Sequence, residues 1–259
     1  MGVVNVTPDS FSDGGHYATT EKATEFVHRL IEEGADILDI GGESTRPGSQ
    51  PVNLNEELSR VIPVIEFAVK QNIPVSVDTS KPEVMRAAML AGASMINDIK
   101  ALQAPGALEV AADNSATVCL MHMQGQPDTM QNKPQYEDIV AEVKIFLEQR
   151  IQAAMSAGIP SERIIIDPGF GFGKTLEHNL TLLGQLDQFS SISFPILVGI
   201  SRKSMLGAIT GNDVSHRVHA SVAAALLAVI KGAKIVRVHD VKATHDALSV
   251  YGAIANRPF

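Results

Sequence analysis

With a single cysteine, Cys119, among 259 residues, the chain can build no internal disulfide framework. That cysteine sits in the apolar run Thr117–Leu120 and reads as core packing rather than chemistry. Basic charge is in deficit: 21 Lys and Arg against 29 Asp and Glu leave a formal net charge of −8. Nucleic-acid binding rests on basic patches, and no window interleaves one with aromatics, which argues against a general polyanion binder. Long apolar runs are missing as well. The longest, Val222–Ile230, is about half of what a membrane helix needs. No basic region precedes an apolar stretch near Met1, so no secretory signal is expected. Val6 stands where myristoylation of Gly2 would require Ser or Thr. The expectation is a soluble, cytoplasmic enzyme with no membrane or nucleic-acid partner.

What the chain has is alternation. Eight short apolar runs, Gly2–Val6, Ile37–Ile40, Pro74–Val77, Ser94–Ile96, Thr117–Leu120, Ile164–Ile166, Ile196–Ile200 and Ile235–Val238, are separated by segments of helical period. Continuous apolar runs mark strands buried on both faces, and strand-helix alternation marks a parallel sheet. Eight such units predict an α/β fold, a single (β/α)8 TIM barrel spanning residues 1–259, with the ligand site where the strands end. Hydrophobic content of 45% suffices for its core. Polar residues cluster at those ends: Asn5 and Thr7, Glu43 to Arg46, Asp78, Asn97, His122, Asp167, Ser201 to Lys203, and Arg237 with His239.

The stripe Ala23, Phe26, Val27, Leu30 and Ile31 predicts a first helix stopped by Gly34, and a helix is expected between Tyr136 and Ala157. Ser80-Lys81-Pro82-Glu83 reads as a capping box opening the third helix. Loops Thr7–Thr19, Gly41–Asn53 and His122–Pro134 are long and polar, which makes them candidate lids, the first two being read as mobile. Gly169 to Thr175 imitates a P-loop, but Pro168 occupies the place of its first glycine. A glycine-permitted bend presenting Phe172 over the mouth fits better. His216 and His219 lack a third ligand spaced for zinc, and His122 has no neighbouring nucleophile.

The mouth predicts two ligand ends. Asp78, Asn97 and Asp167 should face the barrel axis; buried carboxylates need partners, so Lys203 and a heterocycle rich in N–H donors are expected beside them. Arg46, Arg202, Arg237 and His239 form a cationic corner suited to phosphate. Asn5 adds a neutral oxygen that either bonds a loop or helps hold Mg²⁺ with phosphate oxygens. An internal salt-bridge network is the plainer reading of the acids.

Specific strings go further. Asn5-Val6-Thr7-Pro8-Asp9-Ser10-Phe11-Ser12-Asp13-Gly14-Gly15 and Asp39-Ile40-Gly41-Gly42-Glu43-Ser44-Thr45-Arg46-Pro47-Gly48 resemble two signatures of the dihydropteroate synthase family. Shorter matches at Ser76–Thr79, Ile96–Asp98, Asp167–Phe172, Ser201–Ser204 and Arg237–Asp240 follow in the family's order. The resemblance spans nearly the whole chain. It implies condensation of 6-hydroxymethyl-7,8-dihydropterin diphosphate with 4-aminobenzoate, giving dihydropteroate and diphosphate by a dissociative, Mg²⁺-assisted substitution. It implies that Asp78, Asn97, Asp167, Lys203, Met121 and Ile99 hold the pterin. Thr45, Arg46, Pro47, Phe172, Ser204, Arg237 and His239 would serve aminobenzoate and diphosphate, and Asn5 the metal. Lys203, Arg237, His239 and Asp167 would be catalytic. A homodimer through late-chain helices is also implied. The alternatives are a methyltetrahydrofolate methyltransferase barrel without a diphosphate corner, a non-catalytic pterin carrier, and a Schiff-base aldolase using Lys203.

Overall fold

Val- and Ile-rich strands of two to five residues line one ring: β1 (Gly2–Asn5), β2 (Leu38–Gly41), β3 (Val75–Asp78), β4 (Met95–Asp98), β5 (Thr117–Met121), β6 (Ile164–Asp167), β7 (Leu197–Val198) and β8 (Ile235–Val236). The structure is a computed structural model that describes residues 1–7, 16–44 and 51–255, without the side chains of 16–19. β1 to β6 pair in chain order, all parallel, and β7 pairs with β8. Parallel bridges Ile166↔Ile196 and Gly2↔Val238 join the two sheets at both seams. The second seam is fastened by the Val3 N–H to the Val238 carbonyl (3.1 Å) and the Val238 N–H to the Met1 carbonyl (2.9 Å). The eight strands therefore close into the expected α/β barrel.

Around the ring lie α1 (His16–Glu32), α2 (Leu54–Val69), α3 (Pro82–Leu90), α4 (Ala107–Asp113), α5 (Ile139–Ser156), α6 (Leu176–Gly184), α7 (Ser204–Thr210), α8 (Val218–Ile230) and α9 (Val241–Ala255). Side chains on a strand alternate between faces. Leu38, Ile40, Val77, Ile96, Val118, Leu120, Ile164 and Ile166 accordingly pack outward into the core shared with the helices. Met1, Met95, Cys119, Ile165 and Leu197 fill the barrel interior as a separate apolar plug. Cys119 is core packing, as expected. No helix among the described residues is long and apolar enough to cross a membrane.

Two sequence expectations need correcting. Strands β3, β4 and β6 run past their apolar residues into Asp78, Asn97 and Asp98, and Asp167, because ladder pairing continues there. β7 and β8 are shorter than their apolar runs; after Val198 the backbone leaves the ladder for a turn at Arg202 (φ 58°). Ser80 does not cap α3 either. Lys81 occupies the cap without a side-chain bond, and Ser80 Oγ donates to Asp98 Oδ1 at 2.5 Å. Asp98 is wholly buried and draws its donors from Ser80 and from the N–H groups of Lys100 and Leu102 (2.8 Å each), which outcompetes a cap.

Candidate active site

Strand pleating aims Asp39, Asp78, Asn97 and Arg237 into the barrel above the apolar plug. Arg237, just beyond β8, donates from Nη2 to Asp78 Oδ2 at 2.6 Å and from Nε to Asp39 Oδ2. The Asn97 amide donates to the same Asp39 oxygen at 3.0 Å. Asp39 is fully buried. Its Oδ1, like the Oγ of its register partner Ser76, has no hydrogen-bond partner among the described residues. Burial raises the Asp78 carboxyl to about 7 against the pull of Arg237, with Asp39 adding to the rise. Burial opposes the Arg237 charge, but Asp39 and Asp78 outweigh it and raise that pKa further. The guanidinium is thus a fixed cation on a wall of carboxylates.

The opposite wall belongs to β5, β6 and β7. Asp167 is 5% exposed and accepts the Gly169 N–H at 2.7 Å. Burial raises its pKa, with Lys203 and the Gly169 N–H pulling it down. Lys203 caps the start of α7, donates to the Phe170 carbonyl, and stands 4.6 Å over the Phe172 ring. Burial lowers its amine to about 8, with Asp167 opposing. Gly169, Gly171 and Gly173 all take positive φ (73°, 80° and 61°). Only glycine reaches this shape here, since a Cβ on Gly169 would lie 1.8 Å from the His122 carbonyl oxygen. The segment is therefore the glycine bend presenting Phe172 that the sequence suggested.

Met121 and Ile99 are buried at the ends of β5 and β4, and Ser204 is exposed at the start of α7. His239 is half-buried; its N–H donates to Ser201 Oγ at 3.2 Å, and its Nδ1 shares a 3.1 Å bond with the same hydroxyl. Arg202, read from sequence as part of the cationic corner, instead has its guanidinium forked onto Asp240. Thr45, Arg46 and Pro47 lie outside the described residues, as do most of the two loops expected to be mobile. The described base of the second loop is stapled. Lys81 Nζ donates to both Glu43 and the fully buried Glu57, and Glu43 Oε1 accepts the Val52 N–H at 3.1 Å. The loop after β5 is likewise fastened: Gln131 Nε2 donates to the Gly171 carbonyl (2.6 Å) and Tyr136 Oη to that of Gly173 (2.9 Å).

For a metal, no group of three or more His, Cys, Asp or Glu among the described residues could hold an ion. Asn5, half-buried at the end of β1 beside Gly41, offers one carboxamide oxygen. A hard cation there needs most of its oxygens from a ligand or from water, a donor set that suits Mg²⁺ rather than a dedicated protein cage.

Asp39 is the residue that sequence reasoning overlooked. It is hidden in the run Ile37–Ile40, but counting by two from Ile37 puts Asp39 and Gly41 on the barrel side, a signal that was available. Lys174 was also passed over, with the rejected P-loop look-alike.

A buried acid cluster, a guanidinium and a lysine over an aromatic ring thus share one barrel mouth. Comparison with known proteins agrees. Residues 1–239 match the model of the family described as pterin binding enzyme. The chain is 53% identical to the dihydropteroate synthase of Haemophilus influenzae over 99% of its own length and 94% of that protein. Its fold superposes on the Xanthomonas albilineans dihydropteroate synthase with 4-aminobenzoic acid at a TM-score of 0.95 and 56% identity, covering 100% of this chain and 93% of that one. The same organism's enzyme in complex with 7,8-dihydropteroate gives 0.91 and 53%, with 100% and 94% covered. The chain belongs to the pterin binding enzyme family, as a transferase of its dihydropteroate synthase branch.

Proposed function

We propose that the chain joins 6-hydroxymethyl-7,8-dihydropterin diphosphate to 4-aminobenzoate, releasing 7,8-dihydropteroate and diphosphate. The observation that carries this reading is the pair of acceptors Asp78 and Asp167 gathered at one barrel mouth with Asn97 and Lys203, while the fully buried Asp39 holds Arg237 and Asn97 from behind. A pterin brings N–H donors on one edge and a carbonyl on another. The carboxylates answer the donors; the Asn97 amide and Lys203 can answer the acceptor. Met121 and Ile99 supply apolar walls for the flat ring.

The bond that forms joins the aniline nitrogen to the pterin methylene. The one that breaks is methylene carbon to diphosphate oxygen, whose electron pair leaves with the diphosphate while the aniline nitrogen gives a proton to solvent. An aniline is a modest nucleophile, so departure of the diphosphate is the demanding part. Among the described residues Arg237 uses Nε and one Nη2 hydrogen, on Asp39 and Asp78, which leaves the rest of its fork for phosphate oxygens. His239 lies two residues further along the same strand end. Such fixed charge stabilises the anion that develops on the leaving group. When bound, Mg²⁺ held by Asn5 and by phosphate oxygens would neutralise part of that charge. Asp78 and Asp167, holding ring N–H groups, favour positive charge spreading from the methylene into the pterin, which supports a dissociative path. Phe172 and Ser204, with Thr45, Arg46 and Pro47 of the second loop, would receive the aminobenzoate.

The homodimer is part of this proposal. Exposed Ile209, Val214, Leu227, Ile230, Val250 and Ile254 concentrate on α7 to α9, and apolar exposure of that kind favours a self-complementary contact. Light scattering should give twice 27.6 kDa.

The deciding assay supplies both substrates with Mg²⁺ and separates products by chromatography. Dihydropteroate and diphosphate in equal amounts are expected. Pterin diphosphate that binds but stays intact would make the chain a carrier. Asp78→Asn is expected to weaken pterin binding at least ~10-fold, the worth of one charge-assisted hydrogen bond, without lowering the unfolding temperature by more than a few degrees.

A further inference from the structure

Lys174 carries a buried amine that the condensation does not use, its pKa pushed well below the ordinary lysine value by burial. It is 3% exposed, and no carboxylate pairs with it among the described residues. Its Nζ sits instead in a cage of main-chain oxygens: Gly169 at 2.9 Å, Phe172 at 3.0 Å and, more distantly, His122 at 3.4 Å. His122 Nδ1 completes the cage at 2.9 Å. The three short contacts take up the whole hydrogen-bonding capacity of the amine: two carbonyls accept from it, and the His122 tautomer sets which partner donates in the third.

The cage has a mechanical meaning. Its two nearer carbonyls, Gly169 and Phe172, belong to the glycine bend, whose other carbonyls are also taken by side chains: Phe170 by Lys203, Gly171 by Gln131, Gly173 by Tyr136. Asn179 takes the carbonyls of Lys174 and Thr175 and accepts the Gly171 N–H. A segment with three residues at positive φ makes no repeating backbone ladder, so its shape is set by these donors. Lys174 holds the back of the peptides whose front presents Phe172 and the Phe170 carbonyl to Lys203.

We propose that Lys174 is a positioning residue for the aminobenzoate side of the site: its amine, touching no substrate, fixes the bend so that Phe172 and Lys203 meet the ligand in register. This rests on the reading of Phe172 and Lys203 as ligand contacts given above.

Removing the amine takes from the Phe172 carbonyl its Lys174 donor and from the Gly169 carbonyl one of two, the Phe172 N–H at 3.1 Å remaining, so these peptides can shift, and a misplacement of about 1 Å near a reacting centre costs roughly 100-fold. Lys174→Ala should therefore keep a cooperative unfolding transition, lower kcat/KM for aminobenzoate about 100-fold, and recover at least about 10-fold of that in added methylamine or ethylamine. Tetramethylammonium at equal ionic strength, which has no N–H, should recover nothing. Rescue that follows the donor is a response that lost stability alone does not give. Lys174→Gln, which restores two N–H donors on a shorter arm, should lie between wild type and Lys174→Ala. A Lys174→Ala protein within about threefold of wild type, or one indifferent to amines, overturns the proposal. So does loss of cooperative unfolding in both variants, which would make Lys174 a structural residue only. Wild type assayed alongside separates the failures: if it makes no dihydropteroate, both readings fall, whereas an active wild type with an unchanged variant removes Lys174 alone.

Discussion

On the wall of the mouth built by β8 and β2 to β4, side chains hold side chains: Arg237 lies between Asp39 and Asp78, and Asn97 leans on the same Asp39 oxygen. On the β5–β6–β7 wall, side chains hold backbone, with Lys174, Lys203, Gln131 and Tyr136 each reaching carbonyls of the glycine bend. The first wall depends on charge and the second on shape. Substitutions that remove a charge should damage the first, and those that add a Cβ or remove a neutral donor should damage the second.

The largest effect is expected at Arg237. Its loss strands two buried carboxylates, and breaking a buried pair from one side costs about 3–5 kcal/mol. Arg237→Ala should then unfold about 6 °C or more below wild type, besides losing roughly 100-fold in turnover. The sequence alone assigned Arg237 only to a cationic corner suited to phosphate; its bonds to Asp39 and Asp78 are what tie its loss to the fold. An unfolding curve that overlays wild type would show the charged wall to be soft. Gly169→Ala comes next. Its Cβ would meet the His122 carbonyl at 1.8 Å and its φ of 73° is unfavourable for alanine. The bend must therefore move, at about 2–3 kcal/mol, and aminobenzoate binding should weaken while pterin affinity is kept. Equal losses for both ligands would deny that the two walls act separately.

Acid separates them by another route. Burial, and the charge of Lys174, push His122 down to about 3 from an ordinary 6.5. The unfolded chain takes a proton on this imidazole below about 6.5 that the native chain refuses, so stability is intact above that pH and declines as pH falls toward 3. His122→Asn keeps an acceptor near the Nδ1 position and cannot titrate. Thermal unfolding between pH 6.5 and 5 should fall less steeply in the variant, by up to ~1 kcal/mol per pH unit; parallel curves would take His122 out of the acid response. The smallest effect is expected for Tyr136→Phe, which removes one neutral donor from the Gly173 carbonyl and should cost about 1 kcal/mol with little change in turnover.

Legibility differed between the walls for the same reason. Asp78, Asn97, Asp167 and Lys203 could be named from position alone, because each ends an apolar run and a barrel turns such ends toward one mouth. The pairing of Arg237 with Asp39 joins residues 198 positions apart, and no local pattern encodes which acid a guanidinium will choose. Arg202 shows this from the other side: next to Lys203 in sequence, it turns away to Asp240. Ser80 offered a sound local capping signal and lost it to a buried acid on the neighbouring strand. Lys174 was invisible because its partners are carbonyls, which every residue has.

The order of apolar runs, their spacing and the polar residues that end them determined the barrel, the side of it that binds ligand and the identity of most residues at its mouth, since these follow from periodicity and burial along one stretch of chain. Closure at the two seams, the partner of each charge and the use of a lysine to hold backbone were decided only when distant strands came within hydrogen-bond distance. There the desolvation of each group, rather than its place in the sequence, selects its neighbour.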